Sequence, residues 1–175
     1  MDELKSIPRE AIPRALARAE RYRLLNEPRE AESICRDILA VDPDNQEALV
    51  SLVLAITDLF RDRETTMRDA QPFVARLPSE HDREYYAGVV EERWGKSLLH
   101  SGESKRWALG YLRTAMQHYE KAQHLAGQAA DDDQRWDAIL RWNTCVRVIE
   151  RHGLAAFADA DDAVTEVGDE DVPMR

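Results

Sequence analysis

The chain has 175 residues, 43% apolar and 33% charged, a balance that fits a globular body able to bury a core without covalent staples. A formal net charge of −10 disfavours a phosphate backbone or an anionic lipid surface as a generic partner. Two cysteines, Cys35 and Cys145, exclude a disulfide-rich scaffold and a multi-cysteine zinc site.

Asp2, Glu3, Lys5, Arg9, Glu10 and Arg14 leave the first residues without a signal-peptide core. The most apolar run, 48–56, is about half a membrane span. The expectation is a cytoplasmic protein with reduced thiols, no membrane insertion and no nucleic-acid partner.

Helical spacing dominates the chain. Ile12, Ala15, Ala19, Tyr22 and Leu25 recur at three- and four-residue steps and predict a first helix. Asn26-Glu27-Pro28 breaks it, and Pro28 suits the first turn of a second helix carrying Ala31, Ile34, Cys35, Ile38 and Leu39. Asp42-Pro43-Asp44-Asn45 reads as a turn, with Asp44 or Asn45 capping a third helix through Leu49, Leu52, Val53, Ile56 and Phe60. A weaker helix is expected over 64–77, kinked or restarted late by Pro72.

Ser79 or Asp82 starts a long helix through Tyr86, Val90, Trp94 and Leu98. After the turn Ser101-Gly102-Glu103-Ser104, another carries Leu109, Leu112, Met116, Tyr119, Ala122 and Leu125, ending near Gly127. Asp131-Asp132-Asp133 places negative charge ahead of a last helix through Trp136, Leu140, Asn143, Val146 and Ile149, which Gly153 stops. The segment 153–175 sets seven carboxylates against Arg175 and is expected to be a mostly disordered acidic tail. Such a tail is a solubilising terminus, a recognition segment, or a strand of chain that folds back on the body.

Two stretches carry a family resemblance. Ala19 and Tyr22, followed by Ala31, Cys35, Ile38 and the 42–45 turn, resemble one tetratricopeptide unit of about 34 residues, without its early Trp and with Arg18 where Leu is usual. Residues 115–125, from Ala115 through Tyr119 to Ala122, resemble the second helix of the same repeat. The partner helix holds Gly88 and Gly95, seven apart, either of which suits a close helix crossing. This unit is about one turn longer per helix than the family pattern. The 46–79 stretch has the right length and poor agreement.

The resemblance implies an all-α, right-handed stack of antiparallel helix pairs, an α-solenoid of about seven helices. Its units would fall at about 12–45, 46–79 and 80–128, with a capping helix at 131–152, since stacked pairs bury faces that one pair cannot. An irregular helical bundle is the rival architecture.

Individual residues read in two ways. The four tryptophans, Trp94, Trp107, Trp136 and Trp142, form an aromatic pocket or the core of the elongated unit and its cap, with Trp107 near a turn the one expected to be exposed. Glu91 and Glu92 point about 100° apart on a helix, so they make no acid/base pair and are expected to be surface charge. Arg14, Arg18 and Arg21 are a solvated face or an anion clasp. Cys35 and Cys145 read as small buried hydrophobes. His118, Glu120 and His124 would supply an all-α metal or enzymatic bundle, the least favoured alternative.

The resemblance also implies a function. Such proteins hold a partner segment in the concave groove lined by the first helices of each pair. Carried over position by position, the groove residues are Glu20 and Arg23, then Thr57 and Asp58, then Tyr85, Glu92 and Arg93. These differ from the basic and asparagine set with which some members clamp a C-terminal carboxylate. The expectation is a non-enzymatic scaffold or adaptor for another protein or peptide segment, without a cofactor or metal. An acidic three-repeat chaperone and self-association through the end helices are variants. Reversing Arg23 and Arg93 to Glu is expected to weaken partner binding and leave stability unchanged.

Overall fold

In the computed structural model the described residues are 3–126 and 133–157. They form seven α-helices and no strand: α1 (Ile12–Leu24), α2 (Pro28–Val41), α3 (Gln46–Asp58), α4 (Met67–Val74), α5 (Glu80–His100), α6 (Lys105–Leu125) and α7 (Asp133–Arg151). Short 3₁₀ turns precede α1 at Arg9–Ala11 and follow α7 at Leu154–Phe157.

Local chemistry sets the boundaries. Pro28 occupies the first turn of α2, where a missing N–H costs nothing. The Asn45 side chain accepts from the Ala48 amide at 3.0 Å and caps α3. At α4 the Thr66 amide donates to the Asp69 carboxylate at 2.7 Å, one half of a capping box. Ser79 accepts from the Asp82 amide at 3.3 Å and caps α5.

Pro72 neither kinks a long helix nor delays a restart. The capping box at Thr66 starts α4 late, and the helix stops at Val74, two residues beyond the proline. Residues 61–66 are therefore turn rather than the helix start expected at 64.

Each helix packs on its neighbour in sequence: α1 on α2, α2 on α3, α3 on α4, α4 on α5, α5 on α6 and α6 on α7. The first helices of the pairs also touch along one side, α1 on α3 and α3 on α5. This is a stack of helix pairs.

Two larger cores and a small cluster of Ile12, Ile38 and Ala48 fill the stack. One larger core gathers Ala19, Cys35, Leu52, Ile56, Phe60, Val74 and Val90, with the Trp94 ring set edge-on to Phe60 at 5.3 Å. The other gathers Val89, Leu112, Ala115, Tyr119, Cys145 and Leu154. Val89 and Val90 are adjacent on α5, so this helix is the wall both cores share.

Both glycines of α5 lie at the α5–α6 crossing. A methyl group on Gly88 would sit 2.7 Å from Cε1 of Tyr119, and one on Gly95 would sit 3.2 Å from the Ala108 carbonyl oxygen.

Two expectations need correction. Trp94 joins a core and Trp107 is 68% exposed, both as expected, but Trp136 and Trp142 are 50% and 38% exposed rather than core. Trp136 and Trp142 lie on the last helix, and no later helix pair among the described residues covers its outer faces. Nor is the tail irregular from residue 153: Gly153 takes a φ of +61° and Leu154 is fully buried against α6 and α7. Residues 158–175, the Gly127 stop and Asp131-Asp132 lie outside the described residues.

Candidate functional site

Glu20 and Arg23 stand on α1, Thr57 and Asp58 on α3, and Tyr85, Glu92 and Arg93 on α5. The structure joins four of these seven directly. Arg23 Nε donates to Asp58 Oδ2 at 2.9 Å. Arg93, from the other side, pairs with Asp58 Oδ1 and donates to the Thr57 hydroxyl at 2.8 Å and the Leu54 carbonyl at 3.2 Å. Asp58 thus bridges α1 and α5 through α3.

Arg23, Asp58 and Arg93 are each between 21% and 27% exposed, so water only partly screens them. Burial lowers the Arg93 guanidinium below its ordinary value. Asp58 opposes that shift, and Arg141 and Arg23 add to it. Reversing Arg23 and Arg93 would set two carboxylates against Asp58, so the expectation of unchanged stability fails.

Glu92 is the larger correction. It is fully buried, not surface charge and not open to a groove ligand. Its Oε2 accepts from the Tyr119 hydroxyl of α6 at 2.7 Å, and Lys96 pairs with its Oε1. Arg141 of α7 approaches both oxygens at 3.4 Å. One carboxylate therefore ties three helices.

The neighbours register this tie. Burial and the facing Glu92 push the Tyr119 phenol far above its ordinary range. Burial acts to lower the Arg141 guanidinium, but Glu92, Tyr119 and Tyr85 outweigh it and the net direction is up. Glu91, one step round the helix, is half-buried and raised by burial, with His118 acting the other way.

Tyr85 belongs to the same interior rather than to a groove. Its ring packs at 5.1 Å on Tyr86, 5.8 Å on Tyr119 and 6.1 Å on His81. Glu20 is exposed beside Arg23.

Three open clefts follow the first helices. Between α1 and α3 a cleft of about 870 Å³ is lined by Leu16, Ala17, Val50 and Leu54, with Glu20, Arg23 and Glu47 around them. Between α3 and α5 a second, of about 340 Å³, holds Asp58, Arg61, Arg93, Lys96 and His100. Between α5 and α7 a third, of about 500 Å³, holds Lys96, His100, Arg147 and Arg151. The first two clefts meet across the Arg23–Asp58 pair, and the second and third share Lys96 and His100, so the series runs from an apolar cleft at the α1 end to a cationic one at the α7 end.

The carry-over of family positions missed Arg61, Lys96, His100, Arg147 and Arg151. The i, i+4 step from Arg147 to Arg151 is a legible sign of a cationic face.

The metal-bundle residues do not converge. His118 Nδ1 lies 2.6 Å from Glu84, and His124 Nδ1 lies 2.6 Å from the Glu120 carbonyl oxygen. Among the described residues no group of three or more His, Cys, Asp and Glu side chains could hold a metal ion. No helix among them is long and apolar enough to cross a membrane.

Fold and groove define a class, an all-helical stack of hairpins with an open side. Comparison with family models, with curated proteins and with solved structures yields no match.

Proposed function

We propose that this chain is a non-enzymatic scaffold of the tetratricopeptide-like type, which holds a segment of another protein along the side formed by α1, α3, α5 and α7. The observation that supports it is the succession of three open clefts along α1, α3, α5 and α7, the second and third sharing Lys96 and His100. A deep catalytic pocket concentrates convergent polar groups in an enclosed cavity. Here the space is elongated and open, and its central polar groups, Arg23, Thr57, Asp58 and Arg93, bond one another.

The groove sets the chemistry of the ligand. Leu16, Val50 and Leu54 offer an apolar seat for one or two side chains at the α1 end. Arg61 and Lys96 favour acidic groups farther along. Asp58 and Arg93 are spent on each other and act as floor, not as ligand contacts.

A photo-activated crosslinker placed in the full-length chain tests this reading. It is installed at Ser51 or Arg61 in the groove, and at Glu120 or Gln123 on the outer face of α6. One protein crosslinked from both groove positions and from neither outer position is the expected result. Crosslinks confined to the outer positions would overturn the assignment.

A further inference from the structure

The two ends of the groove differ in charge, and the chain itself carries a segment that complements one of them. Lys96, His100, Arg147, Arg151 and His152 line the α5–α7 cleft, and no carboxylate is among the described residues lining it. Arg61 extends the patch, its Nε set 3.0 Å from His100 Nε2. Of these groups, Lys96 is the one paired with a carboxylate among the described residues, and that carboxylate, Glu92, is buried. Such a cationic cluster on a chain of net charge −10 is a local inversion of sign.

The complement lies just beyond it. Residues 158–175 set seven carboxylates, from Asp159 to Asp171, against one arginine. His152 lines the cleft, and Phe157, five residues on, ends a turn anchored by buried Leu154. The Lys105 ammonium lies over the Phe157 ring at 5.9 Å. At about 3.3–3.6 Å per extended residue, the fourteen residues 158–171 can span up to about 46–50 Å. A short tether holds a segment at millimolar effective concentration, at which weak charge pairing suffices.

We propose that the acidic segment 159–171 docks in the α5–α7 cleft and competes in cis for that end of the groove. The competition rests on the scaffold reading, whereas the docking does not. An incoming acidic segment must displace a resident one, so the tail sets a threshold on affinity and selects partners that also engage the apolar seat at α1.

The full-length chain carrying Gly168→Cys and a nitroxide label tests the docking. Cys35 and Cys145 are buried, and burial pushes their thiols up to about 11 and about 12, so the label goes to the introduced cysteine. Paramagnetic broadening of the His100, Thr144, Arg147 and Arg151 amide signals is expected at low salt, with Arg14 and Arg36 unaffected. The broadening is expected to be lost in about 1 M salt, where the screening length falls to about 3 Å. It is also expected to be lost in R147E/R151E, both exposed positions, with helical content unchanged.

Broadening that survives both changes reports the tether alone and overturns the proposal. No broadening at low salt also overturns it and leaves the cleft to an acidic segment of another chain. Neither result depends on finding a crosslinked partner, so this reading and the scaffold reading fail separately.

Discussion

Removing the Glu92 carboxylate is the sharpest perturbation available to this fold. Glu92→Leu leaves the Tyr119 hydroxyl buried without its acceptor, a charge-assisted bond at 2.7 Å worth about 1.5–3 kcal/mol. Lys96 and Arg141 are 37% and 31% exposed and turn to water, so each adds about 1 kcal/mol at most. The expected loss is therefore about 1.5–5 kcal/mol, most of it from the orphaned Tyr119 hydroxyl. That is a large fraction of the roughly 5–15 kcal/mol that holds a domain together. Tyr119→Phe alone is expected to cost about 1–2 kcal/mol, since Glu92 keeps its two cations. In the double variant no buried hydroxyl remains to satisfy, so the combined cost is expected to fall below the sum by more than about 0.5 kcal/mol. Urea titrations followed by far-UV circular dichroism measure all three. Additive losses, or a Glu92→Leu chain as stable as the parent, would refute the claim that one carboxylate binds α5, α6 and α7.

Other expectations follow from the same geometry. Asp58→Ala leaves Arg23 and Arg93 facing each other without their shared anion, and a loss of about 1–3 kcal/mol is expected in the same titration. Gly88→Ala drives a methyl group into the buried Tyr119 ring and is expected to cost about 1–3 kcal/mol. Gly110→Ala on α6 meets open space and is expected to stabilise by up to about 1 kcal/mol, so the two differ in sign. Glu91 has a folded pKa raised above its ordinary 4.5 by burial, so the folded chain holds this proton longer than the unfolded one. Its ionisation therefore subtracts stability as pH rises from 4.5 through the raised value. Glu91→Gln is expected to gain stability over the parent at pH 7 and none at pH 4. A gain equal at both pH values would show that burial of the charge is not the cause.

The helices were legible because three- and four-residue spacing repeats for most of the chain, and because Asn45, Pro28 and Ser79 are local boundary signals. Pairwise stacking was legible from Gly88 and Gly95, whose spacing marks a helix crossing. The same two glycines held the information that Glu92 is buried. Glu92 lies four residues after one and three before the other, on the very stripe they define. Residue type was given more weight than position, and the charge was placed on the surface. Asp58 lines the α3–α5 cleft, but sequence spacing carries no sign that two arginines from other helices converge on it. Contacts between residues 35 apart depend on the stacking angle, which no local pattern encodes. The exposed Trp136 and Trp142 are the reverse case: among the described residues no following layer covers the outer faces of α7.

The shared wall has a mechanical consequence. Val89 and Val90 sit on opposite cores, and Arg93 and Glu92 reach toward α3 and α7 from neighbouring positions on the same helix. A twist of α5 about its own axis cannot be absorbed in one half of the stack. It shears the packing on both sides at once and strains two ion-paired ties that pull in opposite directions. The middle of this molecule therefore behaves as a torsion bar.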